Sequence, residues 1–217
     1  RDWHIRRPRP DKGITTEVAR IMQSSKKPMI IAGGGVVYSD AHSQLQALVE
    51  ATGIPVGTSQ AGVGSLNWDH PQCLGAVGAT GTTAANRLAR EADVIIGIGT
   101  RYSDFTTSSR TAFQNPKVRF ININIASFDA FKHGSAFPVV ADARETIIEL
   151  TNELRSYTVD KEYESKISSE KRHWDALVDA SFIDQELTLP SQTEIIHAVQ
   201  SASDPTDTVI CAAGSLP

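Results

Sequence analysis

Four short apolar runs, each separated from the next by enough chain for a helix, constrain this sequence more than any other feature. They lie at residues 29–32 (MIIA), 54–58 (IPVGT), 94–98 (VIIGI) and 119–125 (RFININI). Most are apolar on both faces, as strands of a covered parallel sheet must be. Helical periodicity fills the gaps. Val18, Ile21 and Met22 share one face of a helix starting near Ile14, with Thr15 or Thr16 as its cap, and Lys26-Lys27-Pro28 stops it. Asp40 is placed to cap a helix carrying Leu45, Leu48 and Val49, closed by Gly53. Thr82 or Thr83 opens an Ala-rich helix through Arg90, and the stretch between, SQAGVGSLNWDHPQ, reads as a Gly-rich loop. A short strand at 139–141 precedes Asp142, which caps a helix with Ile147, Ile148, Leu150 and Leu154 inside. Alternation of this kind predicts an α/β fold: a Rossmann-like parallel sheet with helices on both faces.

Outside that core the character changes. RDWHIRRPRPDK carries five basic residues and two prolines. It reads as a stiff basic linker over 1–12 in preference to a localisation or phosphate-binding patch, because Pro8 and Pro10 forbid helix and such charges are usually solvated. The core domain then spans 13–157. Residues 158–189 are highly charged, with Trp174, Leu177 and Val178 as anchors, and are expected to form an interdomain helix. From 190 a second unit begins, in which Ser191 and Glu194 have capping-box spacing and a strand is expected at 208–212. The chain opens at Arg1 and stops just after that strand, so it is expected to be a piece of a longer protein.

Bulk properties narrow the partners. A net charge of −4 argues against nucleic acid or an anionic membrane, and no apolar run approaches the roughly 20 residues that cross a bilayer. Cys73 and Cys211 are far apart and lack metal-ligand spacing, which suits a reducing cytoplasm.

The stretch PMIIAGGGVVYSD at 28–40 raises the question of a nucleotide site. A dinucleotide fingerprint needs a third glycine three residues after the second and an acid at the end of the next strand. Here Tyr38 stands at the first place and Thr58-Ser59 at the second. No glycine precedes a lysine, so there is no phosphate loop either. The bland alternative is a tight corner that only glycine can turn. The six histidines lack metal or triad context, DFTTSSR at 104–110 offers hydroxyls without a base, and Glu162 and Glu164 sit on the charged helix. No self-sufficient active site is legible.

The order of motifs is more specific than any one of them. The glycine cluster, then LGAVGATGTTAAN, ADVIIGIGTRYSD, ININI and VVADARETI resemble the middle domain of thiamine-diphosphate enzymes, from Gly13 to about Tyr157. The tail resembles the start of that family's diphosphate-binding domain. WHIRRPRPD, INIASFDAFKHGSAFPVVADA and TVICAAGSLP are most similar to the inositol-catabolic branch, which hydrolytically opens a cyclic diketone. That branch has also been labelled malonic semialdehyde oxidative decarboxylase.

The resemblance implies that the parent protein uses thiamine diphosphate and Mg2+ on a small-molecule substrate, as a homodimer or homotetramer. It implies that Gly214 and Ser215 lie near the diphosphate in the full-length protein. The family's catalytic glutamate belongs to an N-terminal domain, and its Gly-Asp-Gly motif to a C-terminal one; no glycine here precedes an aspartate. The chain by itself is therefore expected to hold no catalytic residue, no metal and no cofactor. In some relatives the middle domain holds flavin or ADP. Gly33, Gly34, Gly35, Thr58, Gly78, Gly99, Arg101 and Asp142 match places where the family approaches that nucleotide. Flavin binders, however, show His-Gly where this chain has Val77-Gly78, and Gly-x-Arg-x-Asp-x-Arg where it has Gly99 to Phe105 with Ser103 and Phe105 in the last two places. Two or three charge-assisted hydrogen bonds are thereby lost, at about 1.5–3 kcal/mol each. The crevice is expected to be vestigial, with weak anion affinity; a functional ADP-, FAD- or NAD-binding module is the alternative.

Overall fold

The computed structural model describes residues 6–132, 134, 137–182, 189–204 and 206–210. The strands are β1 (Pro28–Ala32), β2 (Val56–Thr58), β3 (Cys73–Ala76), β4 (Val94–Ile98), β5 (Arg119–Asn124) and β6 (Phe137–Val140). The helices are α1 (Lys12–Gln23), α2 (Gly34–Tyr38), α3 (His42–Thr52), α4 (Thr83–Glu91), α5 (Asp104–Thr107), α6 (Ser127–Ala130), α7 (Ala143–Glu153), α8 (Lys161–Ser181) and α9 (Gln192–Ala202). All six strands form one sheet in the order β3-β2-β1-β4-β5-β6, with every pairing parallel. The expected α/β fold is what the chain adopts. β1 and β4 lie at the centre and every one of their residues is buried, which explains their unbroken apolar sequences.

Several local expectations need correction. β2 begins at Val56, because Ile54 and Pro55 are spent, buried, on the approach from Gly53. Gly53 itself closes α3 in the left-handed region at φ 70°, as expected. β3 was not expected; it directly follows the Gly-rich stretch, and its CLGA is a short edge strand whose register with β2 shifts between Val56 and Thr58. α1 starts two residues early, after Asp11, and the hydroxyls of Thr15 and Thr16 donate back to Lys12 O. Asp40 does not cap α3. The glycine turn forms its own short helix, α2, so the chain must reverse at Asp40, which adopts φ 53°, and Ala41 takes the cap position. Thr82 and Asp142 do cap, accepting from Ala85 N and Glu145 N.

Two compact units divide at Lys171/Arg172, within α8. In the first, α8 is fastened to the amino edge of the sheet. Tyr163 and Ile167 are its buried residues, and Tyr163 Oη donates to Pro28 O at 3.2 Å. Glu91 accepts from Lys166 at 2.6 Å and from Lys27 at 2.7 Å. Nearby, burial would raise the Asp93 pKa, but hydrogen bonds from the Ser25 hydroxyl and the Lys26 and Lys27 amides outweigh it and hold it low. The basic N-terminal segment is also docked: Arg7 Nη1 donates to Ser39 O at 2.6 Å and pairs with Asp142, whose own N–H donates to Pro8 O at 2.9 Å.

In the second unit the capping box at Ser191 and Glu194 is formed, and the Phe182 and His197 rings stack at 4.4 Å. The expected anchors fail: Trp174 and Val178 are half-buried and Leu177 is exposed, since the helix carries few apolar residues beyond Ile167. Of the strand expected at 208–212, Thr208 to Ile210 carry no strand pairing, and Val209 and Ile210 are exposed; 211 and 212 lie outside the described residues.

The Glu91 cluster yields a pH-dependent prediction. Hydrogen bonds from Lys166 and then Lys27 lower the Glu91 pKa below its ordinary value of 4.5. A depressed folded-state pKa stabilises above the unfolded value, and that stability is lost as pH falls through the folded one. Glu91→Gln should therefore cost about 1 kcal/mol at pH 7, two partly exposed ion pairs being involved. In urea titrations the difference from the parent should shrink below pH 4.5.

Candidate functional site

The site expected at the carboxyl edge of the sheet begins where β1 and β4 end. Ala32 leads into Gly33 and Ile98 into Gly99, and these two turns are in direct backbone contact. Gly33 N–H donates to Ile98 O at 2.8 Å, and Gly35 N–H donates to Gly99 O at 3.0 Å. A methyl group on Gly33 would lie 2.3 Å from Gly99 O, and one on Gly35 would lie 2.5 Å from Gly99 Cα. Gly99 has φ 62°, a left-handed conformation that completes the corner. The glycines serve a close approach of two backbones. They leave only the Gly34 N–H of the three without a backbone acceptor among the described residues.

A crevice of about 610 Å³ opens above this corner, lined by Gly34, Gly35, Tyr38, Gly99, Arg101 and Asp129 among others. Of the expected site residues, those four glycine and arginine positions come together there. Gly33, Thr58 and Gly78 are buried beneath or beside it. Asp142 is drawn away: it caps α7, pairs with Arg7 and accepts from Ser39 Oγ at 3.2 Å. Gly214 and Ser215 lie outside the described residues. The positions that depart from the flavin pattern have structural jobs. Ser103 caps α5, and Val77 is core; Phe105 is exposed. Among the described residues the crevice thus offers one guanidinium, Arg101, and one carboxylate, Asp129, the latter already paired with Lys132 at 2.7 Å. That set does not fit tight binding of a flavin or ADP diphosphate, which wants several donors and no competing anion.

A larger groove, about 890 Å³, lies beside the crevice and shares Arg101, Tyr102 and Ser103 with it. It continues past Thr107 and Arg110 to Phe113 and Phe120. Sequence reading named Arg101 and the 104–110 stretch but not the groove, because only the fold brings them to Phe113 and the start of β5. Tyr102, at φ 49° and buried, packs edge-on against both phenylalanines, and burial pushes its phenol pKa up. Among the described residues no three His, Cys, Asp or Glu side chains are placed to hold a metal, and no helix is long and apolar enough to cross a membrane.

The family model for the central domain of thiamine pyrophosphate enzymes matches residues 15–150. The chain belongs to the thiamine pyrophosphate enzyme family. A 3D-(3,5/4)-trihydroxycyclohexane-1,2-dione hydrolase from Listeria innocua serovar 6a is 38% identical over 99% of this chain and 37% of its own length. A protein named 3D-(3,5/4)-trihydroxycyclohexane-1,2-dione hydrolase 2 from Bacillus cereus is 37% identical over 98% of this chain, and a Bacillus anthracis hydrolase of the first name is 35% identical over the same share. The chain spans about 37% of the length of these relatives. The order of motifs that carried the resemblance thus carried a true family signal.

The backbone corner makes a contrasting pair of predictions for glycine replacement. Gly33→Ala forces a methyl group into the Gly99 carbonyl and should destabilise the chain by about 3 kcal/mol. Gly13→Ala, within α1 and with nothing within 4 Å of its added carbon, should stabilise by about 0.5 kcal/mol. Chemical denaturation followed by circular dichroism measures both.

Proposed function

We propose that this chain is the central domain of a thiamine-diphosphate enzyme that hydrolytically cleaves a C–C bond of a cyclic diketone in inositol catabolism. Within that enzyme the domain acts as a scaffold and interdomain spacer. One observation carries the reading: the whole chain, tail included, is 38% identical to a relative named for that hydrolysis. The crevice supports it, since the glycine turn spends two of its three amides on the fold. A decarboxylase of the malonic semialdehyde type remains the alternative for the parent, because the substrate pocket is assembled from other domains.

In the parent we place Gly214 and Ser215 near the diphosphate, on the loop that follows the strand expected at 208–212. A glycine and a hydroxyl after a parallel strand suit approach to a phosphate. When bound, thiamine diphosphate supplies a stabilised carbanion, and the protein supplies orientation and exclusion of water. Groups outside this chain would hold the Mg2+, which would offset the charge of the diphosphate. The parent is a cytoplasmic homodimer or homotetramer acting on a small molecule.

Calorimetric titration with thiamine diphosphate and Mg2+ tests the division of labour. The parent should bind with a saturable isotherm and open the trihydroxy diketone ring; the chain alone should do neither. Saturable binding to the chain alone, or none to the parent, contradicts the reading. ADP, FAD and NAD titrated into the chain should bind no tighter than about millimolar, near −4 kcal/mol. Micromolar binding, or a yellow purified protein, would favour a working nucleotide module.

A further inference from the structure

We propose that the larger groove, between α5 and the start of β5, binds a small organic anion that joins one phosphate or carboxylate group to an apolar ring. Its wall is aromatic. The Phe113 and Phe120 rings are half-buried and meet edge to face at 5.3 Å, with Tyr102 packed behind them. Such a wall takes the face or edge of a ring. Its rim is cationic. Arg101 and Arg110 are exposed and have no carboxylate partner among the described residues, whereas Lys132 is already paired with Asp129 and stands over the Phe128 ring. Against these two free guanidiniums the lining offers one carboxylate, Asp104. A guanidinium fork matches the geometry of both phosphate and carboxylate.

The loop that delivers Arg110 is unusual. Ser108, Ser109 and Arg110 adopt φ 47°, 53° and 71° in succession, conformations that L-residues other than glycine seldom adopt. Ser109 N–H to Asp104 O at 2.9 Å, Arg110 N–H to Thr107 Oγ1 at 3.2 Å and Ala112 N–H to Thr107 O at 3.0 Å hold the run in place. Backbone strain that is held by several bonds marks places where position matters. Beside the groove, Asn122 shares the face of β5 that Phe120 occupies. Its Nδ2 donates to Lys132 O at 3.0 Å, while its buried Oδ1 has no partner among the described residues. A hydroxyl or water admitted with the ligand would complete it. The volume, about 890 Å³, is that of a small-molecule pocket. The groove shares Arg101 with the crevice above the glycine turn, but Arg110, Phe113 and Phe120 line the groove alone, and the site does not depend on the parent's substrate.

The test is a titration of the 15N-labelled chain with phenyl phosphate, benzoate, inorganic phosphate and phenol. Phenyl phosphate or benzoate should saturate and move the amides of residues 107–113 and Phe120, leaving Gly33 and Gly35 unmoved. Whichever ring anion binds better names the anionic group. Inorganic phosphate and phenol, each with half the contacts, should bind at least about tenfold more weakly. Arg110→Gln, an exposed change, should weaken the ring anion about tenfold through one lost charge-assisted bond. Phe113→Leu keeps the site apolar and should weaken it severalfold. No saturable shift with either ring anion, inorganic phosphate binding as tightly as phenyl phosphate, or undiminished affinity in Arg110→Gln would overturn the proposal.

Discussion

Two backbone hydrogen bonds between the turn after β1 and the turn after β4 set the carboxyl edge of this domain. Gly33 to Ile98 and Gly35 to Gly99 bring the chains so close that neither side has room for a Cβ. The ends of the two central strands are thereby locked, and the strands on either side take their positions from them: Ser59 N–H reaches back to Ala32 O at 2.9 Å, and Gly99 N–H to Ile123 O at 2.8 Å. Gly62 follows the same logic, its missing side chain replaced by the Ala32 carbonyl 2.1 Å from where a Cβ would be. A glycine cluster that looks like a phosphate cradle is here a joint between backbones.

That joint accounts for the character of the crevice above it. An anion-binding turn needs several free amides converging on one point. Here most are satisfied by the neighbouring turn, and the side chains at the rim, Arg101 and Asp129, are of opposite charge. At the positions where a flavin pattern would place charge, Ser103 caps α5, Val77 is core and Phe105 is exposed. Asp142 likewise serves the fold, holding Arg7, Ser39 and the start of α7 together. The first unit is an α/β body to whose opposite edge Tyr163 and Lys166 fasten the start of α8.

The sheet was legible because its central strands are apolar on both faces, a pattern few other structures produce. The caps Asp142 and Ser191, and Thr82 as one of two candidates, were legible because each stands just ahead of an apolar helical pattern. β3 was not: four residues with a glycine at φ 81° carry almost no strand preference, and only pairing with β2 defines them. Asp40 misled because α2 is too short to show any periodicity, so its effect on the chain reversal cannot be seen in sequence. The glycine turn could be excluded as a dinucleotide fingerprint from spacing alone, but its actual purpose depends on Gly99, which lies 64 residues beyond Gly35. The larger groove depends on contacts between a left-handed loop and a strand, and neither announces itself in composition.

Amide hydrogen exchange at the glycine turn tests the central claim most directly. Gly33 and Gly35 should be protected to nearly the global stability of the domain, because their hydrogen bonds tie the two central strands, while Gly34 should exchange quickly. Addition of ADP or flavin should leave all three rates unchanged. If Gly33 and Gly35 exchange as fast as Gly34, or become protected only when nucleotide is added, the turn is a ligand cradle and the scaffold account is wrong.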